Sequence, residues 1–268
     1  MLSPRSLLVL ALALCVCLVS CSQTEKADRA KPGTPAYFWQ AANTAWEKGD
    51  FVTTVANLDK LTVRDSEYRA QAQVWLMTIH AGFAKGDMEW ADVLETGRKR
   101  SRTGEATFRR EMAAARSSAS QSVMSYLELA NQHLSAGVPE EPVIPFTAAP
   151  PADRPIEINK IEKGQFPPAA EAALIHDRLR AQAVAESTKA ILPPDGKPNR
   201  NLYLAAMAKE MIDLCGLYGP KRLNETGRIR MITQVAGHAV ESMTPCEVSK
   251  KLQKEIDVLI KSSGKPVS

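Results

Sequence analysis

Five cysteines and four histidines carry the richest intrinsic chemistry in this 268-residue chain. A thiol can act as a nucleophile, a metal ligand, an acceptor for a lipid group, or half of a disulfide. Cys15, Cys17 and Cys21 crowd the N-terminus, whereas Cys215 and Cys246 stand far apart near the other end. No C-x-x-C pair occurs, so neither a redox motif nor a zinc motif is expected. His80, His133, His176 and His238 have no Cys or second His at ligand spacing. His238 and Glu241, three apart on an expected helix, supply two ligands where a metal needs three or four. The chain lacks a nucleophile elbow, a phosphate-cradling glycine loop and an HExxH motif. The acidic pair Glu140-Glu141 lies among prolines and reads as solvated. The expectation is a protein that is not an enzyme and needs no metal or cofactor.

The densest basic cluster is Arg98, Lys99, Arg100, Arg102, Arg109 and Arg110, with Glu105 and Glu111 inside it. One reading is a helix C-terminus, whose dipole favours cations, followed by a solvated helix start. The other is contact with anionic lipid headgroups or an acidic partner. Removing residues 1–20 takes away only Arg5 of the 34 basic side chains, leaving 33 against 30 acidic ones. That balance does not imply nucleic acid.

The position of Cys21 explains the N-terminal thiols. Leu7–Leu18 is an unbroken apolar run of twelve residues after a single charged side chain, Arg5. A secretory signal core has about that length, whereas a membrane span needs roughly 18–20 residues. Leu18-Val19-Ser20-Cys21 follows, and it resembles the lipobox of bacterial lipoproteins. The small residue lets a peptidase approach the backbone, and the thiol takes the diacylglyceryl group. Leu14 and Val16 are too bulky to serve Cys15 and Cys17 in that way. The resemblance implies a signal peptide over 1–20, a lipidated Cys21 and residence in the cell envelope. Ser22, where Asp would imply inner-membrane retention, favours the outer membrane facing the periplasm. With Cys21 lipidated in an oxidising compartment, Cys215 and Cys246 become a disulfide candidate, with two buried free thiols as the alternative.

The elements that follow read as helices. Residues 21–35 are polar and punctuated by Pro and Gly, as in a flexible tether. Lys48-Gly49-Asp50-Phe51 stops one helix and starts the next, the glycine permitting the turn and Asp50 capping. Lys85-Gly86-Asp87-Met88 repeats the device 37 residues later. Trp46–Leu61 and Phe83–Leu94 resemble the turn and second helix of tetratricopeptide (TPR) repeats, whose period is about 34 residues. Trp75 falls at the family's signature Trp and Ala91 at its small inter-helix residue. Thr54 departs from the latter in the first unit. The family's Gly and Tyr are replaced by Ala42 and Ala45, then by Ile79 and Gly82. The resemblance covers Ala36–Arg100 and implies stacked hairpins that bind a protein or peptide segment. A long helix, Glu105–Ala136, is expected to cap the second unit, which gives a TPR-like region over 36–137.

Residues 138–168 hold eight of the 17 prolines and read as a linker or a strap across the helices. Ile156-Glu157-Ile158 alternates weakly, as in a short strand. Residues 169–263 read as a C-terminal bundle of four helices: Ala169–Leu192, Leu202–Cys215, one capped by Asn224, and one opened by a Thr244-Pro245-Cys246-Glu247 capping box. The whole is expected to be all-α. The expected function is that of a lipid-anchored scaffold holding a protein or peptide partner. The rival is a cell-wall enzyme or sugar-binding lipoprotein with a cleft between the two helical regions.

Overall fold

The computed structural model describes residues 30–63, 66–151, 156–193, 197–218 and 226–263. The signal segment, Cys21, most of the tether and Asn224 lie outside these residues. The described chain is all helical, with nine helices and no strand among the described residues. Helix α1 (Pro35–Glu47) opens with proline in its first turn, and the Thr34 hydroxyl accepts from the Tyr37 N–H. Gly49 then turns the chain with φ +71°. Asp50 accepts from the Thr53 N–H at 3.0 Å and caps α2 (Phe51–Thr62). The first Lys-Gly-Asp segment is therefore the hairpin turn that the sequence implies.

The second is not. Helix α3 (Arg69–Arg100) runs for 32 residues straight through Lys85-Gly86-Asp87, a length of about 48 Å. The reason is tertiary. α3 is buried on nearly every side from Ala72 to Met88. Helix α4 (Glu105–Ala136) returns along it after Gly104, and α6 (Ala169–Ile191) packs on another face. Gly82 and Gly86 sit one turn apart where α6 crosses. A Cβ on Gly82 would lie 2.5 Å from Val184 Cα, and one on Gly86 would lie 2.6 Å from Arg180 Cα. The second glycine permits a close crossing rather than a turn.

Residues 138–151 form a strap whose Val138, Phe146 and Ala149 are buried. Phe146 sits 5.7 Å from the Trp46 ring and 5.8 Å from that of Trp75. The Ala149 N–H donates to Thr188 Oγ1 of α6 (3.2 Å). Ile156–Ile158 is not a strand: it leads into a single helical turn, α5 (Asn159–Glu162), that inserts Ile161 beside Gly97 and Phe108. One apolar core runs from Ala42 through Trp75 and Val184 to Ile256, so front and back share it. A smaller cluster around Trp90, Leu94, Phe108 and Leu179 fills the end of the α3–α4 hairpin.

Helices α7 (Arg200–Cys215), α8 (Thr226–Glu241) and α9 (Glu247–Ser263) complete the back as a small bundle. The cap of α9 lies two residues beyond the expected one. The Cys246 N–H donates to Ser249 Oγ (2.9 Å) and the Ser249 N–H returns to Cys246 Sγ (3.5 Å). The Thr244 N–H is taken instead by Asn201 Oδ1 (3.0 Å).

Candidate functional site

The expected site residues part company in the structure. The basic cluster is largely neutralised at the α3–α4 corner. Glu105 accepts from Arg98 (3.1 Å) and Arg109 (2.8 Å), Lys99 pairs with Glu95 (3.1 Å), and Arg110 with Glu111 (2.9 Å). Arg100 donates to the Glu162 carbonyl (3.2 Å). These contacts tie α3, α4 and α5 together at the C-terminus of α3.

Cys215 and Cys246 are free thiols, not a disulfide. Cys215 is buried in the core, which pushes its thiol up to about 12. Cys246 is half-buried at the start of α9, where hydrogen bonds from Ser249 lower its thiol. Each has a local role: one packs in the core, the other caps.

Three of the four histidines pack between helices. Desolvation lowers His80 to about 4. It also lowers His133, whose Nε2 lies 3.2 Å from the Tyr203 hydroxyl. His176 meets Asp87, the acid of the second Lys-Gly-Asp, at 2.6 Å and stacks on Trp90. Arg180 grips the same carboxylate through Nε (2.5 Å) and Nη2 (3.1 Å), and Nη2 also reaches Ser118 Oγ (2.9 Å). The Asp87 side chain is fully buried. Burial alone would raise its carboxyl, but the hydrogen bonds from His176 and Arg180 and the guanidinium charge hold it below the usual range. Its neighbour Lys85 donates to Glu210 of α7 (2.8 Å), whose other oxygen accepts from Ser187 of α6 (3.2 Å). Lys85, Gly86 and Asp87 thus join α3 to α6 and α7, and the clamp is a fastening with its acceptors filled.

A hollow of about 240 Å³ beside the clamp is lined by Trp90, Arg110, Glu111, Phe166 and His176. Like two larger hollows, one lined by Glu47 and Phe51 with Leu174 and Ala181 and one by α4 with α8 and α9, it lies between front and back helices, where the rival reading needs a cleft. Its Arg110 and Glu111 pair with each other and His176 is held by Asp87. The polar groups there are already engaged.

A larger feature lies elsewhere on the molecule. An open groove of about 900 Å³ runs between α4, α8 and α9. Met124 and Leu127 of α4, Met231 and Val235 of α8, and Ile256 and Ile260 of α9 form its apolar surface. Met231 and Ile260 are 45% and 44% exposed, so the apolar surface reaches solvent. Glu128, Glu241, His238 and Gln253 add polar groups. Gly237 faces open space: a Cβ added there meets no atom within 4 Å. His238 and Glu241 are the pair singled out by spacing, and the structure brings them to this groove. No group of three or more His, Cys, Asp or Glu side chains poised for a metal occurs among the described residues. Sequence reasoning missed the groove as such. The available signal was that α8 carries Met231, Val235 and His238 along one face, beyond the residues its core contact needs.

No family model, curated protein or solved structure matches the chain. Among the described residues, no helix is long and apolar enough to cross a membrane.

Proposed function

We propose that this chain is a lipid-anchored helical scaffold of the cell envelope that holds a protein or peptide segment in the α4–α8–α9 groove. Cys21 after the twelve-residue apolar run supplies the anchor. One acyl chain gives only marginal membrane binding, and two or three make it stable. Ser22 favours the outer membrane, facing the periplasm. The groove is the observation that carries the binding half of the reading. It joins apolar surface on three helices, exposed at Met231 and Ile260, to polar groups at its edges, as peptide-binding grooves do. Met124 and Met231 are unbranched and flexible, which suits a surface that must fit another chain. The rings that a sugar-binding site would use for stacking do not line it.

The test has two arms. Cys21→Ala should abolish incorporation of labelled fatty acid and leave an uncleaved precursor; normal labelling would remove the anchor from this reading. Gly237→Trp should fill the groove while leaving the helical circular dichroism unchanged. A protein that co-purifies with the native chain and is lost with this variant is the expected partner. Unchanged recovery would move the binding surface elsewhere.

A further inference from the structure

We infer that the groove between α4, α8 and α9 takes a basic amphipathic helix. The inference rests on the reading of that groove as a peptide site and names the chemistry of its occupant. Peptides are recognised by a few backbone modes, and the structure discriminates among them. Strand addition needs an exposed sheet edge, and no strand occurs among the described residues. Polyproline recognition needs an aromatic-lined groove, and Phe, Tyr and Trp are all missing from this lining. Recognition of acidic or phosphorylated motifs needs clustered arginines, and the lining contains neither Arg nor Lys. Of the modes that read a chain segment rather than a chain terminus, a helix laid in a groove remains, anchored by apolar side chains at i, i+3, i+4 and i+7.

Charge selects among helices. The carboxylates of the lining are Glu128 on α4 and Glu241 on α8, both exposed. Neither has an ion-pair partner among the described residues. Glu128 takes only the Gln132 amide (3.4 Å). The Arg228 guanidinium donates to Met124 Sδ (2.8 Å) rather than to either lining carboxylate. A helix with Lys or Arg flanking its apolar stripe would meet these carboxylates. An acidic helix would meet like charge, which costs affinity and slows encounter.

The experiment uses the purified full chain in zwitterionic nanodiscs, with empty nanodiscs as the blank. Two fluorescein-labelled synthetic peptides of about 18 residues share one leucine stripe and carry either Lys or Glu on the flanks. By fluorescence anisotropy, the Lys peptide should bind about tenfold tighter than the Glu peptide at low salt, and the gap should narrow as salt is added. The double variant Glu128→Lys/Glu241→Lys should reverse the order, and Gly237→Trp should abolish both signals. Equal binding of the two peptides to the native chain would overturn the basic-helix inference while leaving the groove reading intact. Failure of both would remove the groove reading as well. Light scattering that shows a dimer, dispersed by Gly237→Trp, would make a second copy of this chain the occupant and overturn the inference.

Discussion

At Gly49 the chain leaves one helix and reverses into the next; at Gly86, in the same Lys-Gly-Asp tripeptide, it continues through the middle of α3. The first tripeptide is at the surface. Lys48 and Asp50 are exposed, Gly49 takes a left-handed conformation, and the role of Asp50 is to cap a helix. The second is interior. Lys85 reaches α7, Gly86 meets the α6 backbone, and Asp87 is closed off by His176 and Arg180. A turn motif states what the backbone can do. Whether it does so depends on which other helices compete for its side chains. Gly in a helix interior costs about 1 kcal/mol relative to Ala, a penalty small enough for close packing against α6 to outweigh.

The comparison is most sharply broken at the glycines. Gly86→Val would drive a branched side chain into α6 backbone atoms, which cannot rotate away. It should cost about 3 kcal/mol or more. Gly49→Ala has room, the nearest atom being Pro150 Cγ at 3.6 Å. Its cost comes only from the positive φ, about 1 kcal/mol. Urea denaturation of both variants measures the difference, and equal losses would mean that α6 does not press on Gly86.

The aspartates come next. Asp87→Ala leaves Arg180 and His176 without their shared acceptor, and should cost about 3 kcal/mol. Asp50→Ala removes one cap and should cost about 1 kcal/mol. Because the Asp87 carboxyl is held below its ordinary value, its contribution is present above pH 3.8 and is lost as the pH falls through the lower folded-state value. Acid titration of the wild type against Asp87→Asn would isolate that loss.

Five residues before each lysine the contrast returns in a titratable form. Asn43 donates to the Trp39 carbonyl at 2.8 Å, whereas His80 is desolvated and lowered from 6.5 to about 4. A histidine kept neutral by the fold stabilises it fully above pH 6.5, and that stability drains away between pH 6.5 and about 4. The full span corresponds to roughly 3 kcal/mol, of which only the first part is lost at pH 5.5. Melting temperatures of the wild type and His80→Gln across that window should converge as the pH drops. Parallel curves would place the His80 ring in contact with water.

The smallest expected effect is of opposite sign. Gly237 has no tertiary reason to be glycine, in contrast to Gly86, because its Cβ position faces the open groove. Gly237→Ala should stabilise the protein by up to about 1 kcal/mol through helix propensity alone. Any loss of stability would show that the groove is more closely packed than its open lining suggests.

The sequence by itself determined the helical class, the first hairpin, and the ends of most helices. Each of these rests on signals local to a few residues. Thr34 and Pro35 open α1, Gly49 and Asp50 make a turn, and apolar residues recur at helical spacing in α7, α8 and α9. The strap was legible as a region no regular helix could occupy. That Phe146 within it would pack against both Trp46 and Trp75 was not, because nothing local relates residues so far apart in the chain. Only the tertiary structure decided that Lys85-Gly86-Asp87 would fasten three helices together, that the cap of α9 would be Cys246 with Ser249, and that Cys215 and Cys246 would be free thiols. The groove is tertiary in the same sense. Met124, Met231 and Ile260 stand beside the periodic apolar faces of their helices, and Met231 and Ile260 are exposed. They line an open groove because α4, α8 and α9 leave space between them there, and helix periodicity specifies which face is apolar but not whether another helix will cover it.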